Sequence, residues 1–310
     1  MRSSTANRLT SNSKLKLQRR EKAPTVEYGS RLAAAIRSGT KLCAASTAGA
    51  FSRPEGNFLY KGNGMELYNS IIEKVDGLLG CAQPKRYEYN PAKCWEDVGG
   101  NQLVMMKESA YELGGDSKPA VNYACVTSTD GFADKDEILV YGRDLNQISG
   151  SVSFARIVIV KVNILDGEGE EDTEPLFRAI QDIDFVKYHV YPKGYMIRSS
   201  SDSYREQVRV SKEAVRKGIT FEQVGNSYIS QYKKNPNIVS VKVIFVTTDD
   251  ADYAGMRADA KKTRDITMTL SKILEGMSTD CHSCRLREIC DEVEGLKELH
   301  FGKEKKEFKG

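Results

Sequence analysis

The chain has 310 residues, 40% hydrophobic and 29% charged, the balance of a soluble globular protein with one large or two modest domains. No run of about 18 apolar residues occurs and the basic N-terminus lacks the apolar core of a secretory signal, so no membrane partner is expected and the expected location is cytoplasmic. The net charge of +3 hides an asymmetry: residues 1–64 hold 12 Lys and Arg against 3 Asp and Glu, whereas the remainder holds 34 against 40.

Residues 1–64 have few aromatics and no periodic apolar face, so they read as a disordered basic extension and not as a nucleic-acid arm. Lys61-Gly62-Asn63-Gly64 stands directly before Met65, and its codons are purine-rich, as in a bacterial ribosome-binding site. Met65 is therefore the expected start of translation.

Residues 65–79 place Leu67, Ile71, Ile72, Val75 and Leu79 at helical spacing. A polar stretch with Pro84 and Pro91 follows, and the pairs Gly99-Gly100 and Gly114-Gly115 read as turns. Val121–Thr127, Glu137–Tyr141 and Val152–Ile164 read as strands, the last as a continuous apolar run that implies cover on both faces. The acidic segment 166–174 reads as a connecting loop with no calcium-loop spacing.

Residues 174–187 predict a helix with Leu176, Ile180, Ile183 and Val186 inward, followed by a strand over 188–197. Ser211 is a natural N-cap for a short helix. Residues 221–234 predict a further helix, 239–247 a buried strand, and 249–276 a long charged helix or helix pair with Asp249 and Asp250 at its positive end. The order of elements favours an α+β fold, with a mixed or antiparallel sheet and flanking helices, over a doubly wound parallel sheet. The expected organisation is the extension 1–64, an α+β domain over 65–276, and a C-terminal cysteine knuckle with its tail over 277–310.

Seven cysteines without an export signal argue against a disulfide framework. Cys43, Cys81, Cys94 and Cys125 read as small buried side chains. Cys281, Cys284 and Cys290 form C-x2-C-x5-C. A C-x2-C pair can wrap one metal from a tight turn, and thiolate is the ligand preferred by iron–sulfur clusters and zinc. Three thiolates suit a [4Fe–4S] cluster with one iron left for another ligand. Zinc would take His300 or His282 as its fourth ligand, and three reduced structural thiols without a metal are the remaining reading. Cys125 and His300 are candidate fourth ligands for the cluster.

Several stretches resemble the β subunit of carbon monoxide dehydrogenase/acetyl-CoA synthase. Glu112-Leu113-Gly114-Gly115 with Pro119 is similar to the family's E-(L/M)-G-G-x-x-x-P, and Gly142-Arg143-Asp144-Leu145 to its G-P-D-I. Arg209-Val210-Ser211-Lys212-Glu213-Ala214-Val215-Arg216-Lys217-Gly218 resembles R-V-S-K-(D/E)-A-x-x-K-G most closely. Val241–Thr247 and Cys281-x2-Cys284 follow in the family's order, so the resemblance spans roughly residues 110–290.

The resemblance implies the family's middle domain and the start of its active-site cluster motif. It implies chemistry that joins a methyl group, carbon monoxide and coenzyme A at a [4Fe–4S] cluster bridged to two nickel ions. The implied partners are a corrinoid protein, a methyltransferase and CO dehydrogenase subunits. Arg198, Arg205, Arg209 and Lys212 then become possible contacts for coenzyme A phosphates. The chain departs from the pattern: no Cys-Gly-Cys occurs, and the third cysteine lies closer to the pair. Nickel is accordingly not expected. The expectation is a truncated, acetyl-CoA synthase-like iron–sulfur protein of anaerobic one-carbon metabolism. The alternative is a non-catalytic interaction module stapled by zinc or a cluster.

Overall fold

A computed structural model describes residues 66–100, 106–115, 118–163, 174–199 and 206–274, together with Cys284 and Ile289. The expectations for 1–64 and for the acidic loop lie outside these residues, and so does the tail beyond Ile289.

The apolar run read as a doubly covered strand is β5 (Phe154–Val162), and eight of its nine residues are buried. It lies near the middle of a five-stranded sheet with β1 (Lys85–Glu88), β3 (Ala120–Thr127), β4 (Glu137–Tyr141) and β8 (Ile238–Val246), in the order β1-β4-β8-β5-β3. The β3/β5 and β4/β8 pairs are parallel, and the β1/β4 and β5/β8 pairs are antiparallel. The sheet is therefore mixed, as the α+β reading expects.

Strand alternation sorts the side chains onto two faces. The register rows Val140–Phe245–Arg156–Asn122 and Ile138–Val243–Val158–Ala124 share one face. Helix α4 (Phe221–Tyr232) covers this face, with Phe221 stacked on Phe245 at 4.4 Å between ring centroids. Tyr123 and Cys125 point to the other face, where α1 (Glu66–Leu78) brings Tyr68 and α5 (Tyr253–Leu274) brings Asp259. Helix α2 (Glu174–Phe185) packs against α5.

A second, antiparallel sheet has the order β2-β7-β6, from β2 (Ala110–Leu113), β6 (Tyr195–Ser199) and β7 (Glu206–Ser211). A bridge between Leu113 and Val152 ties it to the lead-in of β5. β7 runs directly into α3 (Lys212–Arg216), where the Ser211 hydroxyl accepts the Ala214 N–H at 3.0 Å. Ser211 is the N-cap that the sequence predicts.

Three expectations need correction. The stretch 188–197 is not one strand: a 3-10 turn occupies Val186–Tyr188, and β6 begins only at Tyr195. Its reason is local, because His189 N–H closes onto Val186 O at 2.9 Å. The long helix starts at Tyr253 instead of Asp249, with Asp252 as its cap through the Ala254 and Gly255 N–H groups. Asp250 instead accepts the Cys81 N–H at 3.1 Å and ties the end of α1 to this loop. Finally, Cys81 is exposed and disulfide-bonded, its partner lying outside the described residues, and so it is no buried thiol.

Candidate functional site

The Arg-Val-Ser-Lys segment is the junction of β7 and α3, and both charged side chains have partners within the fold. Arg209 faces Glu112 across the β2/β7 ladder, and its Nε and Nη2 both donate to Glu112 Oε1, at 3.1 and 2.6 Å. The two side chains are only 15% and 14% exposed, so solvent screens this pair weakly. Lys212 is exposed, donates Nζ to the Glu108 carbonyl at 2.8 Å and lies over the Tyr111 ring. Lys217 pairs with Glu213 one turn away on the surface, and this pair lowers the Glu213 carboxyl below its usual range. The Arg198 side chain and all of Arg205 lie outside the described residues. Of the four expected coenzyme A contacts, the structure thus places Arg209 on the central strand of the small sheet and Lys212 three residues on, at the start of α3.

Gly194 completes this junction. Its backbone has φ +80°, and a Cβ there would stand 2.5 Å from Ser211 Oγ and 2.7 Å from Ala214 Cβ. Only glycine permits both the turn and this close approach. Its carbonyl accepts the Ser211 N–H at 2.7 Å. The next residue, Tyr195, pairs with Val210 and is 2% exposed.

The cysteine motif is described at Cys284, half-buried and outside any disulfide, and at Ile289, which packs into the main core. Cys281, Cys290, His282 and His300 lie outside the described residues. The donor set is chemically apt, because C-x2-C-x5-C offers three soft thiolates, and Ile289 anchors the residue before Cys290 on the folded domain. Cys125 is a different kind of thiol. It is fully buried in β3, and burial with the Asp259 carboxylate pushes its ionisation far up. Nothing in that environment favours the thiolate that a metal requires. Among the described residues, no group of three His, Cys, Asp or Glu could hold a metal ion.

Residues 99–252 match the family model described as the CO dehydrogenase/acetyl-CoA synthase complex beta subunit. Over that span the chain is similar to this family. The matched segment runs from the lead-in to β2, through α4 and every strand of both sheets but β1, to the loop before α5. It contains the Glu112–Arg209 pair and the Gly194–Ser211 junction, and so the acetyl-CoA synthase-like part is the two-sheet body described above. The cysteine motif lies beyond the match. No curated protein matches the chain.

One group of residues was not singled out from the sequence. Arg156 sits in the middle of the apolar run of β5, is 1% exposed, and donates Nε to Asn122 Oδ1 at 2.8 Å. A charged residue interrupting a continuous apolar strand was the available signal.

Proposed function

We propose that this chain is an iron–sulfur protein that works within a CO dehydrogenase/acetyl-CoA synthase type of complex in the cytoplasm. The family match over 99–252 carries this reading. Cys281, Cys284 and Cys290 supply the thiolates for a [4Fe–4S] cluster, and Cys284 is a thiol outside any disulfide beside the folded domain. When bound, such a cluster supplies one-electron transfer or an open iron for an outside ligand. The chain's own residues hold it, and Ile289 fixes one end of the motif against the core.

The partners proposed are a corrinoid protein, a methyltransferase and CO dehydrogenase subunits, with coenzyme A as a ligand. Exposed Lys212 is the phosphate contact with its charge at the surface, and Arg209, held by Glu112, lies three residues before it on β7. Arg198 and Arg205 belong to the same proposal by their place in the chain.

The test is anaerobic purification of the tagged chain from its native cells, with coenzyme A titrated calorimetrically into the same preparation. Co-purification of CO dehydrogenase or corrinoid subunits, with coenzyme A heat that weakens in Lys212→Ala, is the expected result. A chain that comes away alone and gives no coenzyme A heat refutes the assignment.

A further inference from the structure

A donor-rich cluster is buried between α4 and the large sheet, apart from both motifs. Arg156 and Asn122 are direct cross-strand partners on β5 and β3. The Arg156 guanidinium carbon lies 3.9 Å from the centroid of the Tyr228 ring. Tyr228 and Tyr232 are four residues apart on α4 and so share a face of the helix. Tyr195 enters from β6, immediately after the Gly194 turn. Asn122 is 6% exposed, Tyr195 2% and Tyr232 0%. Burial pushes both hydroxyls far up in pKa, and the nearby Arg156 charge offsets this only in part, so both remain protonated donors.

Hydrogen-bond balance decides what fits here. Asn122 Nδ2, Tyr195 Oη and Tyr232 Oη are buried with no hydrogen-bond partner among the described residues. Asn122 Oδ1 is occupied by Arg156. The cluster therefore presents amide and hydroxyl hydrogens without acceptors, whereas buried polar groups in native proteins are nearly always matched. A water molecule accepts two of these hydrogens but brings two of its own, which the tyrosine oxygens must then take. A species that only accepts takes the hydrogens without that demand, and a guanidinium beside it favours negative charge.

We propose that Arg156, Asn122, Tyr195 and Tyr232 form a buried binding site for a small monoanion, of halide or short-carboxylate size. The near-complete burial of all four sets the size limit. The site joins β3, β5, β6 and α4. Through Tyr195 and Gly194 it braces the β7–α3 junction against the large sheet.

The full chain is prepared in a buffer whose only anion is a bulky sulfonate, and bromide or acetate is titrated at constant ionic strength while the melting temperature is read. The wild type is expected to gain stability saturably. Tyr195→Phe or Tyr232→Phe is expected to raise the half-saturating concentration about tenfold, the weight of one hydrogen bond to a charged group. Whichever of bromide and acetate saturates at the lower concentration names the preferred source. Wild-type crystals grown in bromide should show an anomalous peak within hydrogen-bonding distance of the two hydroxyls, a reading that stands even if a variant does not fold. Phe variants that melt at or above the wild-type temperature at every anion concentration overturn the proposal, and so does the absence of the anomalous peak. In that event the hydroxyls are unmatched or bound to water.

Discussion

Asp144 caps one helical segment and holds the first N–H of another. Its Oδ1 accepts the Leu145 N–H at 2.7 Å, which opens a 3-10 turn over Leu145–Gln147, and the Phe221 N–H at 2.6 Å, which opens α4. This is a physical account of the aspartate in Gly-Arg-Asp-Leu: it fastens α4 to the end of β4. Burial raises its carboxyl above the usual range, and the two backbone N–H groups pull it back only in part. Asp144→Ala is expected to cost roughly 1–3 kcal/mol in urea unfolding, because two buried N–H groups lose their acceptor. The sign of the pH effect follows from the raised pKa. The unfolded chain releases this proton first, so the stability linked to it is complete below about pH 4 and declines as pH rises through the raised folded value. Asp144→Asn should flatten that decline, and denaturation midpoints measured across pH 4–7 against the wild type check it. An unchanged slope would mean that other carboxylates govern the window. At this scale the sequence was legible where a residue acts locally, as Ser211 does. It was not legible for Arg156 or Asp144, whose partners lie 34 and 77 residues away in the chain.

At the scale of elements, the apolar strands and amphipathic helices were readable because burial imposes their periods. What failed were boundaries set by a single backbone hydrogen bond, as at His189, or by the choice between neighbouring acidic residues, as at Asp249 to Asp252. Pairing was also hidden, because parallel and antiparallel neighbours of β5 read alike when both faces are covered. Two helical glycines give contrasting predictions. A Cβ on Gly225 would stand 2.7 Å from Ile138 Cγ1, so α4 approaches β4 as closely as it does only through glycine. Gly225→Ala should lower stability by about 1–3 kcal/mol through overpacking. Gly77 on α1 is exposed and meets nothing within 4 Å, so Gly77→Ala should raise stability by about 0.4–1 kcal/mol. Thermal melts of the two variants read both signs, and a stabilised Gly225→Ala would contradict the packing of α4 on β4.

For the whole molecule, two sheets meet where β2 hands over to β5, and the family match covers that body apart from β1. None of the described helices is long and apolar enough to cross a membrane. The fold class and the likeness to this family were legible because short motifs fell in the right order along the chain. The proposed metal centre rests on a donor set alone, since spacing names the ligand type but not the ion. The central claim is that Cys281, Cys284 and Cys290 hold an iron–sulfur cluster on this body. The most direct measurement is iron, acid-labile sulfide and zinc per chain after anaerobic purification, for the wild type and for Cys281→Ser, Cys284→Ser and Cys290→Ser. The account predicts a brown wild type with about four irons and four sulfides, and loss of both in each variant. One zinc without iron, or iron that survives all three substitutions, would contradict it.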